Sequence, residues 1–199
     1  MLLGKIVRSN SHVDYVCQVY ASGEAEQPPV PTDYAFGTFV RIELNTQPLS
    51  WLAGLVYDTV LLNPDFGNLG PRLSPQAELA VFSPDYLQEK ATLIGITSIG
   101  TLTENGQATQ GVPSLAALTD APVEKMSDDQ IKTFHRGNPS VKLAYVPLLI
   151  SQGSPLTLHL LRGIIARLET LFPEHAAPLA VLQRELLWQS QISPFGGTR

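Results

Sequence analysis

The first candidate for chemistry is the only cysteine, Cys17, because a thiolate beside an imidazole can act as a nucleophile. His12 lies five residues before it. Five residues of extended strand span about 16 Å and end on the opposite face, so the two side chains should not meet. We therefore interpret Cys17 as a residue of the hydrophobic core.

His135 is a second candidate, since Asp128 and Asp129 precede it on a predicted helix and Arg136 follows it. Together these groups could form an acid and base site. A histidine near the C-terminal end of a helix is, however, already favoured by the helix dipole. We interpret His135 as a solvated residue of the helix end.

The remaining clusters do not have the spacing of metal or serine chemistry. His159, Glu174 and His175 lack the His pair at i, i+4 or the third ligand that zinc requires. Residues 95–100 contain a serine, but outside the Gly-x-Ser-x-Gly spacing of a nucleophile elbow. The sequence therefore predicts no catalytic residue, no metal ligand and no cofactor.

A polar pocket is an alternative prediction. Asp58 and Asp65 could share one mouth of the fold with Arg41 and Arg72. Such a pocket would suit a hydrolase or a nucleotide-dependent enzyme, whereas the other interpretation leaves all four residues on the surface.

The predicted loop over residues 64–76 is longer than ordinary connections and rich in turn-forming residues. Its apolar residues Phe66, Leu69 and Leu73 are our candidate partner contacts, because exposed apolar residues on an ordered loop are typical of a protein contact. The alternative is that they cover the end of the fold as a plug.

The composition indicates a folded protein, since 44% of the 199 residues are apolar and 16% are charged. The formal net charge of −5 disfavours a broad surface for nucleic acid or anionic lipid. Lys5, Arg8 and Arg41 could still share one face, which keeps single-stranded nucleic-acid binding as an alternative.

The sequence also indicates a compartment. A single cysteine favours a reducing environment. The N-terminus passes directly into a strand pattern without the features of a secretory signal. No apolar stretch approaches the roughly 18 residues of a membrane-spanning helix. We expect a cytoplasmic protein that does not enter the membrane.

Six strands are predicted in the first half of the chain, over residues 4–7, 12–20, 36–44, 51–62, 78–82 and 92–102. Alternation in the second strand places one set of residues on a common face, namely Val13, Tyr15, Cys17 and Val19. In the third strand the corresponding set is Phe36, Thr38, Val40, Ile42 and Leu44. Short alternating strands separated by Gly and Pro indicate a small, six-stranded β-barrel over residues 1–106.

The pattern changes after residue 106, and we place a domain boundary there, with an α-rich region over residues 107–199. Ser127 and Gln130 have the spacing of a capping box, which predicts a helix from Asp128 to about Arg136, with Gly137 in the left-handed cap. Residues 141–146 alternate as one added strand. Helices over residues 155–172 and 178–189 should form an αα-hairpin, the first with an apolar stripe. The predicted fold class is α+β.

The barrel strands resemble a known family. The run Gly-Lys-Ile-Val at residues 4–7, the strand over 12–20, Gly-Thr-Phe-Val-Arg-Ile at 37–42 and Leu-Ala-Gly-Leu-Val at 52–56 are similar to the HAS-barrel. This small β-barrel is found at the N-terminus of HerA-type DNA-translocating ATPases and of the rotary ATP synthase α and β subunits. The resemblance covers about the first half of the chain.

The ATPases that carry this barrel bind nucleotide through a phosphate loop, Gly-x-x-x-x-Gly-Lys-Ser/Thr. No such motif occurs in this sequence, since Lys5 has no glycine loop before it and residues 67–71 lack the lysine. In those larger proteins the barrels form a ring that stabilises the oligomer, so the resemblance implies a role in assembly and not in catalysis. We predict a non-enzymatic interaction or assembly module that binds a protein partner or further copies of itself.

Overall fold

The computed structural model describes residues 1–63, 91–137 and 140–192, and in the last helix the side chains up to Leu186. Within these residues, seven strands come first, namely β1 Leu2–Ser9, β2 Asp14–Val19, β3 Phe39–Leu44, β4 Ser50–Leu62, β5 Ala91–Thr103, β6 Ala108–Gln110 and β7 Pro122–Lys125. Four described α-helices follow, namely α1 Asp128–His135, α2 Val146–Ser151, α3 Thr157–Leu171 and α4 Ala176–Ile192. The fold class is α+β, as predicted.

Six of the strands form a closed antiparallel barrel in the order β2-β1-β7-β3-β4-β5, and pairing of β5 with β2 completes the circle. Closure satisfies the strand edges that an open sheet of this size would leave unpaired. The short strand β6 pairs with β5 outside this circle. The predicted six-stranded barrel is confirmed.

The strand β7 comes from beyond the predicted boundary at residues 106 and 107. It is inserted between β1 and β3, with Val123 opposite Gly4 on one side and Ile42 on the other. A strand of four residues that begins with proline carries too little alternation to be recognised in a sequence. The predicted strand over residues 78–82 lies outside the described residues.

Alternation divides the apolar residues between the interior of the barrel and its outer wall. The interior is filled by buried side chains, namely Leu3, Ile6, Tyr15, Cys17, Val19, Val40, Ile42, Leu44, Leu52, Val56, Ile94, Ile96 and Val123. The predicted core position of Cys17 is confirmed. Phe36 is an exception to the predicted face, because it precedes β3 and is 46% exposed.

The helices cover one side of the outer wall and form a second core. Wall residues such as Phe39, Leu55 and Ile99 pack against the apolar faces of α1, α2, α3 and α4. The predicted stripe of α3 is confirmed, since its buried residues are Leu160, Leu161, Ile164, Ile165, Leu168 and Leu171. Each such side chain contributes about 1.5–3 kcal/mol when fully buried. α3 also packs on α4, as the predicted hairpin requires.

The start of α1 is capped as predicted. The backbone N–H of Gln130 donates to the Ser127 hydroxyl at 3.3 Å, and the Ser127 N–H donates to the Gln130 side chain at 2.9 Å. The end differs from the prediction, because Gly137 does not have a positive φ. Its close contact with the Ser140 carbonyl leaves no room for a side chain.

Residues 141–146 do not form the predicted strand. Gln110 holds this segment instead, since its side-chain amide donates to the Lys142 carbonyl at 3.0 Å and accepts from the Ala144 N–H at 2.7 Å. The same amide donates to the carbonyl of Phe134 on α1. Pro147 then lies in the first turn of α2, where a missing N–H costs nothing. Within the described residues, no helix is long and apolar enough to cross a bilayer.

Candidate functional site

A cavity of about 260 Å³ lies between the barrel wall and the helices. Its barrel side is formed by the start of β2, by Tyr57 of β4 and by Phe36. Its helical side is formed by α2, by the start of α3 and by the turn that joins them. A concave, mostly apolar space with a few polar groups is the usual form of a binding site.

Tyr57 and Asp14 form the polar centre of this cavity. The Tyr57 hydroxyl donates to Asp14 Oδ1 at 2.7 Å. The two residues belong to β4 and β2, which are separated by β5, so the ring lies across that strand at Gly95. A Cβ at Gly95 would lie 2.9 Å from Tyr57 Cζ, which explains the glycine. Burial, followed by the hydrogen bond to Asp14, raises the pKa of the Tyr57 hydroxyl.

Among the described residues that line the cavity, Asp14 is the only charged one. Its second oxygen, Oδ2, accepts from the side-chain amide of Asn10 at 3.0 Å. Asn10 in turn accepts from the guanidinium of Arg8, so Arg8 is held one residue away from the carboxylate. The cavity therefore contains one negative charge that is hydrogen-bonded and not matched by a cation from its own walls.

The rest of the cavity combines an amide with apolar surface. The Gln152 side chain donates to the hydroxyl of Thr97 on β5 at 2.9 Å, which ties the end of α2 to the barrel. Phe36 and Leu156 are 46% and 44% exposed. Sequence reasoning did not identify this site. The one sequence feature that pointed to this site was Gly95, because a glycine inside an apolar strand indicates that another group approaches the backbone closely.

His135 is fully buried, so its interpretation as a solvated residue of the helix end is wrong. Its Nδ1 donates to the Ile131 carbonyl at 2.8 Å, which leaves Nε2 to accept from the Tyr145 hydroxyl at 2.9 Å. The rings of Phe39 and Phe134 contact it edge-on. Burial lowers the pKa of His135 to about 4, so the imidazole is neutral and structural.

The nucleophile candidate, Cys17, is buried as a thiol. Burial raises the pKa of the Cys17 thiol to about 12, so little thiolate forms at neutral pH. His12 Nε2 donates to the Pro113 carbonyl at 2.8 Å, and not to Cys17. No group of His, Cys, Asp and Glu within the described residues could hold a metal ion.

The polar pocket proposed from sequence is only partly described. Asp58 is exposed and accepts from the backbone N–H of Thr59 at 2.8 Å. Arg41 lies on the neighbouring strand β3 opposite Ala53, well before Asp58 along β4, and there it forms an ion pair with Glu124 and covers the ring of Trp51. The remaining members, Asp65 and Arg72, lie outside the described residues, as do the candidate partner contacts Phe66, Leu69 and Leu73.

The end of β4 carries exposed apolar residues. Beyond Val56, β4 pairs with β5 alone among the strands described here. Val60, Leu61 and Leu62 are 47%, 75% and 48% exposed, although they alternate between the two faces of the strand. Val60 lies opposite Leu93, the last residue of β5 that pairs with β2, whereas Leu61 and Leu62 lie opposite Thr92 and Ala91, beyond that pairing. The last two residues of β4 therefore project beyond the closed part of the barrel.

Comparison with known proteins adds the family. No curated protein matches the sequence at a significant level. One family model, described as a domain of unknown function, matches residues 1–194, which include both the barrel and the helices that cover it. The chain therefore belongs to this family, DUF8166.

Proposed function

We propose that the protein is a non-enzymatic assembly module, with a barrel related to the HAS-barrel, and that it self-associates through the exposed end of β4. A closed barrel of six strands supports the first part, because this is the architecture that the resemblance implies. The interior supports it further, because it is packed with buried apolar side chains, as in a barrel that serves as a structural core.

The state of the reactive groups favours a module without chemistry. His135 uses both ring nitrogens within the core, and Cys17 is buried as a thiol. A buried, unpaired thiol also fits a reducing compartment, which supports a cytoplasmic location. Nucleic acid is not part of the proposal, because Lys5 and Arg41 are each paired with a carboxylate.

The observation that carries the proposal is the apolar end of β4. Single exposed apolar residues are ordinary, but three consecutive ones at the end of a strand form a surface suited to contact. The strand edge beyond Val56 has no partner among the described strands, and such edges pair readily with another chain.

A second copy is the partner that suits this edge best. If two copies pair antiparallel about Val60, Thr59 lies opposite Leu61 and Asp58 lies opposite Leu62 of the other copy. Residues 59–62 carry no charge, so this register places no like charges opposite each other. Pairing would bury the apolar side chains and the strand edge together.

The experiment compares two substitutions at exposed leucines. Leu61→Glu places a charge in the proposed contact, and Leu118→Glu places the same charge at a residue that is 65% exposed elsewhere. Both variants should stay folded, with a free energy of unfolding within about 0.5 kcal/mol of that of the natural protein, as is usual for surface substitutions. In sedimentation velocity, only Leu61→Glu should shift the protein to a smaller species.

Equal sedimentation of the two variants and the natural protein would contradict the proposed contact. A loss of assembly in both variants would also contradict it, because the effect would then follow from the added charge and not from its position.

A further inference from the structure

The cavity between the barrel and the helices has the chemistry of a cation site. Asp14 supplies the only charge among the lining residues that the structure describes. A carboxylate offers about four lone-pair positions, and Tyr57 and Asn10 occupy two of them. Within the described residues, no Lys or Arg side chain forms an ion pair with Asp14. Acceptor capacity and negative charge therefore remain for a donor that enters from outside.

The guanidinium of Arg8 does not form an ion pair with Asp14. Both hydrogen bonds of the Arg8 guanidinium go to Asn10. The side-chain amide of Asn10, which is uncharged, then donates to Asp14. Asp58, the neighbour of Tyr57 on β4, is exposed and does not line the cavity. The single carboxylate of Asp14 is thus the group that an entering ligand would meet.

The walls favour a planar cation on an apolar stem. The ring of Phe36 is 46% exposed, and a guanidinium stacks on an aromatic face as well as bonding a carboxylate. Val13 and the half-exposed Leu156 provide apolar surface for methylene groups. A volume of about 260 Å³ suits one side chain or one small molecule better than a nucleotide.

We infer that this cavity binds a guanidinium group carried on an aliphatic stem, with Asp14 as its acceptor and Phe36 as its stacking surface. Two sources have this chemistry, a free alkylguanidine and an arginine side chain of a peptide segment. The inference does not depend on self-association through β4.

Isothermal titration of the full chain with three probes tests the inference. Agmatine represents the free alkylguanidine, and Nα-acetyl-arginine-N-methylamide represents the peptide side chain. The matching citrulline derivative keeps the shape of arginine but has no charge. Both guanidinium probes should bind, and the citrulline derivative should bind about tenfold more weakly or not at all, as expected for loss of a charge-assisted hydrogen bond. The tighter of the two guanidinium probes identifies the source.

Matched variants locate the site. Asp14→Asn should weaken the binding of both guanidinium probes about tenfold or more, whereas Asp58→Asn makes the same change in net charge and should leave it unchanged. Phe36→Leu should weaken binding about threefold through loss of the aromatic face. Because Phe36 is exposed, this variant keeps the test valid even if Asp14→Asn fails to fold.

Three results would overturn the inference. The first is equal affinity for the arginine and citrulline derivatives. The second is unchanged affinity in a folded Asp14→Asn variant or in Phe36→Leu. The third is no binding of either guanidinium probe at about 10 mM, a concentration that would detect even a contact of a few kcal/mol.

Discussion

The hydroxyl of Tyr57 reaches across strand β5 and donates to the carboxylate of Asp14 at 2.7 Å. This contact joins β4 to β2 over a strand that lies between them, and Gly95 makes room for the ring. The same two residues form the polar centre of the cavity between the barrel and the helices. One glycine in β5 therefore determines both a packing contact and the shape of the candidate site.

Gly95→Ala should destabilise the protein by about 1–3 kcal/mol, the usual cost of overpacking a well-packed site. The added Cβ would lie 2.9 Å from Tyr57 Cζ and 3.2 Å from Asp58 Cβ, so the ring must move. Chemical denaturation measures the loss. The control is Gly163→Ala on α3, where an added Cβ contacts nothing within 4 Å.

That control has its own expected sign. At an exposed position away from the ends of a helix, alanine is favoured over glycine by about 0.5–1 kcal/mol, so Gly163→Ala should stabilise the protein. If Gly95→Ala proves as stable as Gly163→Ala, the crossing of Tyr57 over β5 is not tight.

Stability should fall between pH 6.5 and pH 4 through the titration of His135. Burial lowers the pKa of this residue to about 4 in the folded state, against 6.5 in the unfolded chain, so the unfolded state binds the proton first. The difference is worth about 3 kcal/mol once the pH reaches the folded pKa. The groups that face the ring, Ile131 O, the Tyr145 hydroxyl and the rings of Phe39 and Phe134, are all neutral.

Denaturation curves at several pH values measure this dependence. In His135→Gln the neutral side chain has no proton to gain, so the slope between pH 4 and pH 6.5 should be smaller, whatever the absolute stability of the variant. Identical slopes in the two proteins would show that the histidine is not held neutral. Hydrogen bonds from Val30 and Lys125 lower the pKa of Asp33, so its protonation reduces stability only at a pH below this range.

Tyr145→Phe should cost about 1–3 kcal/mol, because it leaves Nε2 of the buried His135 without a donor. The aromatic ring and its contact with Phe134 are retained, so the loss reports the hydrogen bond. Thermal unfolding of the variant checks the result, and an unchanged melting temperature would mean that the hydroxyl is not needed to satisfy the imidazole.

Ile165→Asp should unfold the protein, since Ile165 is 1% exposed within the core that joins α3 to the barrel. A buried, unpaired charge costs several kcal/mol, a large part of the stability of a domain. Ala166→Asp places the same charge on the exposed face of the same helix and should be tolerated. Circular dichroism distinguishes them, and a folded Ile165→Asp protein would show that the helices do not pack on the barrel as described.

The sequence predicted what depends on local pattern and missed what depends on pairing across the fold. Alternation identified the inward face of β2, and the capping box identified the start of α1. The strand β7 forms because it pairs with β1 and β3, which are distant in sequence. Its own four residues carry too little alternation to predict a strand.

The same limit applies to the candidate site. Residues 141–146 alternate like a strand, but Gln110 holds them through side-chain hydrogen bonds, which no alternation encodes. Asp14 and Tyr57 are 43 residues apart in the chain and meet only because the barrel closes. The burial of His135 follows likewise from packing against Phe39, which is distant in sequence, and against Tyr145, which lies ten residues later but outside the helix that carries the histidine.

The most direct test of the proposed assembly module is sedimentation equilibrium of the full chain over about 1–100 µM, the range in which a contact of μM affinity changes occupancy. The monomer has a mass of 21.6 kDa. We expect a weight-average mass that rises with concentration toward twice that value or a higher multiple, and a smaller rise for Leu61→Glu. A mass of 21.6 kDa at every concentration would contradict self-association through β4.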